Sequence, residues 1–339
     1  MEKKLIKIKL QNGFLFETFK KEVFEVAGLT DIYDFVESEN PDFIIFGPYG
    51  IEIPPKGNYT RVAYYCENII PDLSLCDYAF GVMKEKTINN PKYKRIQWHG
   101  LNPDILVKTE AYNPIEILNE KKYFCNFLYS HKVAYREEFF KQLSKYKKVD
   151  APGKSMNNME SIDNKFKGDV WERKKQFLSP YKFTIAFENY VFPGYQTEKV
   201  YDAMQTSSVP IYCGDPMIGE IFNTASFLNA PDYVKTNYSG FTSWLEKNSQ
   251  MDFIDILPQF YKTPYHRLKR KLKAMGRKIK MERQFQNLNF SALVDRIVEL
   301  DENPNEYLKV LKQPWFVNNK PPENVSLRNR WIEIFSKAQ

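Results

Sequence analysis

FTIAFENYVFPGYQTEKVYDAMQTSSVPIYCGDP, residues 183–216, is the stretch from which the fold can be read. An apolar run from Phe183 to Phe187 ends in the polar pair Glu188 and Asn189, and a loop carrying Pro193, Gly194 and Tyr195 follows. Thr197 then stands where a helix N-cap is expected, with Glu198 and Lys199 in the first turn, and a second apolar run, Val209–Cys213, leads to Gly214 and Pro216. Strand, loop, helix and strand in that order make a βαβ unit, hence a parallel sheet covered by helices. Backbone N–H groups and the positive end of the helix dipole make the loop–helix junction an anion site, to which Lys199 adds a full charge. A diphosphate suits it. Glu198 can accept hydrogen bonds from vicinal hydroxyls such as those of a ribose, and Tyr195 offers a flat face and a hydroxyl. The plainer alternative is a capped helix with a solvated Glu-Lys pair.

The same rhythm extends outward. LIKIKL (5–10), DFIIFG (42–47), RVAYYCEN (61–68), DYAFGVM (from Asp77) and KRIQWHGL (from Lys94) read as strands, with a helical pattern in FETFKKEVFEVAGL. The polar segment 108–122 separates these from a fresh strand at Tyr123, the helix AYREEFFKQLSKY, and the strands KVDAPG, KFTIAFEN, VPIYCG and SFLNA. The expectation is an α/β protein of two Rossmann-like domains facing each other across a cleft: residues 1–120, residues 121–315 with an insertion at 234–289, and a segment 316–339 returning to the first domain. In such sheets ligands sit beyond the carboxyl ends of the strands.

Composition agrees with a folded globular protein. Hydrophobic residues are 43% and charged residues 27% of the 339, and the net charge is +7. The N-terminal MEKKLIKIKL breaks its apolar residues with lysines, unlike a signal peptide. No run reaches the ~18 apolar residues that cross a bilayer. A cytoplasmic protein is expected, at most peripheral on the inner face of the cytoplasmic membrane. Cys66, Cys76, Cys125 and Cys213 are scattered and expected to be reduced thiols, and the sequons at Asn58, Asn237, Asn289 and Asn324 are read as chance matches. Three dispersed histidines argue against a His-rich metal site.

Phe187, Glu188, Asn189, Tyr195, Thr197, Glu198, Lys199, Ala203, Val209, Pro210, Gly214 and Pro216 together resemble the signature of glycosyltransferase family 10, the α-1,3/4-fucosyltransferases. The resemblance implies a GT-B fold, a GDP-fucose donor in the C-terminal lobe, inversion at the fucose anomeric carbon and an N-acetylglucosamine-containing acceptor of the Lewis type. It places Asn189, Tyr195, Glu198 and Lys199 on the donor, with Glu188 and Thr197 beside them. Residues 125–158 resemble the family's strand and helix in which an Arg reaches the donor phosphates, here Arg136, with Ser130 and Lys154 as neighbours; otherwise Arg136 is a surface residue of an amphipathic helix. Charge developing on GDP would be met by Arg136 and Lys199. No metal site is implied, and no cofactor is required; a divalent metal at most stimulates.

Inverting transfer needs a carboxylate to take the acceptor hydroxyl's proton. Residues 64–81 resemble the family segment that supplies it, with Glu67 as the candidate catalytic base. Some members carry that Glu two residues on, where this chain has Ile69. Asp72 and Asp77 rank lower, Asp77 reading as a structural hydrogen-bond acceptor. The insertion matches nothing in that pattern. Its stretch His266–Arg283 holds nine Lys or Arg residues, open to three readings: a solvated basic helix, a dock on anionic lipid, or an oligomer contact. Two other functions compete. One is transfer of another nucleotide sugar on the same scaffold; the other is nucleic-acid binding, which no RNP-like or zinc-knuckle pattern supports.

Overall fold

The computed structural model describes residues 3–49, 53–97, 99–252, 255, 263–322 and 326–337; the sequon at Asn324 lies outside them. The N-terminal lobe is built on β1 (Lys4–Gln11), β2 (Tyr33–Glu37), β3 (Phe43–Phe46), β4 (Thr60–Tyr64), β6 (Tyr78–Gly81) and β7 (Tyr93–Arg95), with β5 (Ile69–Ile70) beside it. The six strands form one sheet in the order β2-β1-β3-β4-β6-β7, every adjacent pair parallel. The second lobe carries β8 (Tyr123–Asn126), β9 (Val149–Asp150), β10 (Tyr181–Phe187), β11 (Val209–Cys213) and β12 (Leu228–Asn229) in the parallel order β12-β11-β10-β8-β9. β13 (Met251–Asp252) pairs in parallel with β5, in register Met251↔Ile69, so the insertion reaches across to the first lobe.

Near-continuous apolar strands buried on both faces favour parallel sheets. β3 reads FIIF and β11 reads VPIYC, both buried throughout. The unit that opened the sequence reading forms as the pattern dictates: β10 pairs with β11 in register Phe183↔Val209 to Phe187↔Cys213. β2 went unread in the sequence. It is an edge strand with only Tyr33 and Phe35 buried, and its remaining polar residues hide it.

The helices that bear on the cleft are α1 (Ala134–Leu143), α2 (Val170–Leu178), α3 (Glu198–Gln205), α4 (Gly240–Ser249), α5 (Pro264–Gln284) and α6 (Leu327–Lys337). α6 packs Leu327, Trp331, Ile334 and Phe335 into the N-terminal core, where Trp331 meets Phe80 at 4.4 Å. Burying a ring of that size is worth about 4–6 kcal/mol of gross transfer energy. Arg330 fixes the helix further through a two-pronged contact with Glu85, at 2.6 and 3.0 Å.

The two lobes meet through polar contacts around the loop before α3. Gln97, just past β7, donates to the Tyr201 hydroxyl at 2.8 Å and to Gln196 at 3.0 Å. Arg95 lies 3.9 Å from Asp215, which in turn accepts the Gly194 N–H at 2.8 Å. Gly194 has φ +83°, and a Cβ there would sit 2.3 Å from the Val82 carbonyl oxygen. Only glycine lets the lobes approach this closely.

Candidate active site

Each chemically interesting side chain stands just beyond the carboxyl end of a strand: Glu67 after β4, Ser130 after β8, and Glu188 and Asn189 after β10. Ser130, Arg136, Asn189, Tyr195, Thr197, Glu198 and Lys199 line one interlobe cavity of about 720 Å³, and Glu67 reaches it from the opposite lobe. Residues up to 132 positions apart are brought together there. Lys154, expected as a donor neighbour, is exposed and is not among the residues that line the cavity.

Glu188 is fully buried behind the wall. Its Oε1 accepts the Thr197 N–H at 2.8 Å, its Oε2 accepts the Thr197 hydroxyl at 2.8 Å, and Lys199 Nζ lies 3.4 Å away. Burial pushes this carboxyl up, against the pull of Lys199. Two expectations are revised here. Thr197 occupies the N-cap of α3, but its side chain does not cap the helix because the hydroxyl is committed to Glu188. Its N–H is taken as well, so only amides from the first turn onward are left to an anion.

Lys199 donates to Thr197 Oγ1 at 2.8 Å and lies 3.4 Å from Glu198. Burial works against its charge, yet Glu188 and Glu198 push it up, so it is a fixed cation. Burial likewise pushes the Glu198 carboxyl up, but Lys199 and Lys174 outweigh it and hold it down at about 2. An ionised acceptor at the start of α3 is what two sugar hydroxyls need. Lys174, which also pairs with Asp202, escaped the sequence reading because on α2 it looks like one more solvated lysine.

Arg136 is not the surface residue that an amphipathic helix alone would suggest. It is 1% exposed, and its guanidinium lies 4.0 Å from the Tyr129 ring centroid. One Nη donates to the His131 carbonyl at 2.9 Å, and the other to Asn189 Oδ1 at 3.1 Å and to the Phe187 carbonyl at 3.4 Å. Its Nε, although buried, has no hydrogen-bond partner among the described residues. A buried guanidinium held on two sides with a donor to spare suits a phosphate oxygen. Asn189 serves here by orienting that Arg.

Tyr195 lines the cavity but is only 2% exposed, and its hydroxyl donates to Glu67 Oε2 at 3.0 Å, a bond to the opposite lobe that the sequence did not suggest. Burial and the Glu67 carboxylate push the hydroxyl well above its ordinary range, and it stays a donor at neutral pH. This bond orients one oxygen of Glu67 at the cavity. Asp77 lies elsewhere: it accepts the Arg61 backbone N–H at 2.9 Å and its guanidinium at 3.1 Å twice, the structural role read from the sequence. Ile69, at the alternative position for the base, is buried in β5. His99 was also missed. It lines the cavity, with the Tyr64 hydroxyl 3.2 Å from Nδ1, and burial lowers its pKa.

Two parallel-sheet lobes facing a cleft, joined by a C-terminal helix that returns to the first lobe, define the GT-B type of glycosyltransferase fold. Crystal structures of an α1,3-fucosyltransferase match it. One aligns with TM-score 0.66 over 99% of this chain and 90% of that chain, at 21% identity, and its complex with GDP-fucose aligns with TM-score 0.64 over 100% and 91%. Residues 118–252 match the family model for glycosyltransferase family 10 (fucosyltransferase), C-terminal part, so this stretch is similar to that family. It is 27% identical over 335 residues to the alpha-(1,3)-fucosyltransferase FucT of Helicobacter pylori, covering 84% of this chain and 65% of that one. A relative from Acanthamoeba polyphaga mimivirus with a provisional fucosyltransferase name is 27% identical over 215 residues, 62% of this chain and 33% of the relative. The chain therefore spans from a third to two thirds of the length of these relatives.

Proposed function

We propose that the chain transfers L-fucose from GDP-fucose, with inversion, to O3 or O4 of an N-acetylglucosamine unit in an N-acetyllactosamine-type glycan. The observation that carries this reading is the convergence, in one cavity, of the Glu67 carboxylate from one lobe with a buried Arg, a fixed Lys and an ionised Glu from the other. The acceptor O–H gives its proton to Glu67 as its oxygen bonds to the fucose anomeric carbon. The bond from that carbon to the β-phosphate oxygen breaks, and GDP leaves with the electron pair. Arg136 Nε and Lys199 meet the charge that develops on the phosphate, and Glu198 accepts from the ribose. In this reading the reaction requires no metal, Asn189 and Glu188 act by holding Arg136, Thr197 and Lys199 in place, and the lobes divide near residue 120.

Partners in this reading are GDP-fucose, a glycan acceptor and an anionic membrane surface on the cytoplasmic side, with no nucleic acid. Supporting the membrane contact, α5 turns Tyr265, Leu268, Leu272 and Met275 outward beside the exposed Arg267 and Lys271. No helix among the described residues is long and apolar enough to cross a membrane.

The test is a mass-spectrometric transfer assay with N-acetyllactosamine and an equimolar mixture of GDP-fucose, GDP-mannose, UDP-galactose and UDP-N-acetylglucosamine. Addition of a deoxyhexose is the expected result. Addition of a hexose or N-acetylhexosamine would move the chain to another donor on the same fold, and no binding of any nucleotide sugar would end the enzyme reading.

A further inference from the structure

The family-model match ends at residue 252, so α5 and the rest of 253–289 lie beyond it, while α4 and β13 of the expected insertion fall within it. Helix α5 is anchored inward rather than solvated all round. Gly276 lies against Ser249 of α4 so closely that a Cβ would meet Ser249 Oγ at 2.1 Å. Arg277 donates to the Ser249 carbonyl at 2.6 Å, and Lys280 lies 3.3 Å from both the Val191 carbonyl and Glu246. Val191 belongs to the loop that follows Asn189, and β13, between α4 and α5, pairs with β5 two residues past Glu67. Arg277 and Lys280 of the basic stretch are therefore structural, and with β13 they hold this segment against both lobes at the edge of the cavity.

The clamp creates a second cavity of about 480 Å³. Glu67, His131 and Asn189 line both this cavity and the larger one, so the candidate base stands at their junction. The far wall is α5, through Ala274, Arg277 and Met281, and Tyr190 completes it. Tyr190 is 4% exposed, yet its hydroxyl has no hydrogen-bond partner among the described residues. A buried hydroxyl without a partner is unfavourable, and such a group in a cavity wall is satisfied when a ligand hydroxyl arrives. Tyrosine and methionine side chains also suit the C–H face of a sugar ring. In an inverting displacement the nucleophile and leaving group lie on opposite sides of the reacting carbon. A base facing two cavities matches that demand, with GDP on one side and the attacking hydroxyl on the other.

We propose that the acceptor saccharide occupies this second cavity, its reacting hydroxyl at Glu67 and another hydroxyl on Tyr190, with α5 as the wall that decides which acceptors fit. This rests on the fucosyl-transfer reading and adds to it that the insertion, not the first lobe alone, is the acceptor-specificity element. The test compares the wild-type chain with Tyr190→Phe, which removes only the hydroxyl, and Ala274→Trp, which fills the cavity from the exposed face of α5. Initial rates of transfer to N-acetyllactosamine give acceptor and donor KM separately, and GDP-fucose hydrolysis without acceptor reports the donor site alone.

The expected result is an acceptor KM about tenfold higher in Tyr190→Phe, equivalent to ~1.4 kcal/mol, and at least that in Ala274→Trp. Donor KM and hydrolysis should stay within about twofold in both, which a merely structural role would not predict. Acceptor KM within twofold of wild type in both variants overturns the proposal while leaving the donor reading intact. A wild-type chain that binds GDP-fucose but transfers it to no N-acetylglucosamine-containing acceptor overturns the parent reading and this one with it.

Discussion

Replacing Arg136 with Lys is the most informative perturbation of the donor side, because it keeps the charge and removes the fork. The guanidinium makes three hydrogen bonds from its two Nη atoms, to His131, Asn189 and Phe187, and keeps Nε in reserve. A lysine has a single nitrogen at the end of a flexible stem; it can hold the His131 carbonyl or reach a phosphate oxygen, but not both. One charge-assisted hydrogen bond to a phosphate is worth about 1.5–3 kcal/mol, so GDP should bind roughly 10- to 150-fold more weakly. Isothermal titration calorimetry with GDP measures this directly. Thermal denaturation alongside separates it from folding, since His131 and Asn189 border the cavity and can take water in place of the lost bonds. GDP affinity unchanged in Arg136→Lys, with or without a lower Tm, would refute the assignment of Nε to the diphosphate and leave Arg136 a structural residue.

Gly194→Ala tests lobe closure: at φ +83°, with its Cβ driven against Val82 backbone, alanine costs about 1–3 kcal/mol and wedges the lobes apart, loosening the Tyr195–Glu67 contact. Transfer should fall at least tenfold while GDP affinity, proposed to rest on Arg136 and Lys199 within one lobe, holds within about twofold; wild-type turnover would show that the close approach is dispensable. The outward face of α5 should bind phosphatidylserine vesicles at low salt, release them as salt rises, and lose binding in a Leu268→Glu, Leu272→Glu double variant. No co-sedimentation at low salt would remove the membrane from the account.

Local pattern carried the sequence reading a long way. The unit from Phe183 to Cys213 is a strand, a loop and a helix whose apolar periodicity and terminal residues all agree, and it folds as read. Glu67, Arg136 and Lys199 meet in one cavity because each follows a strand whose carboxyl end the topology points at the cleft. What stayed hidden depends on pairings with no local signature. Tyr195 and Glu67 are 128 residues apart, and nothing in either neighbourhood announces that the hydroxyl crosses to the other lobe. The β13–β5 pair has two residues on each side, too short for any period to register. Thr197 matched an N-cap by type and position, yet the buried Glu188 carboxylate competes for its hydroxyl and wins because it has few other donors. The basic run in α5 was open to three readings in the sequence, none of them an inward clamp; its inward cations are visible only once Glu246, Ser249 and the Val191 carbonyl are placed against it.

The central claim is that Glu67 takes the acceptor's proton in a fucosyl transfer whose donor is held by the other lobe. The donor-competition transfer assay, run on the wild-type chain and on Glu67→Gln with GDP affinity measured in parallel, tests it most directly. Gln keeps the size of the side chain and can still accept the Tyr195 hydrogen bond, but it cannot take a proton. The account predicts deoxyhexose addition by the wild type, a loss of at least 10²-fold in Glu67→Gln, and GDP affinity within about twofold between the two. Undiminished transfer by Glu67→Gln would contradict it and send the search for the base to another carboxylate lining the cleft.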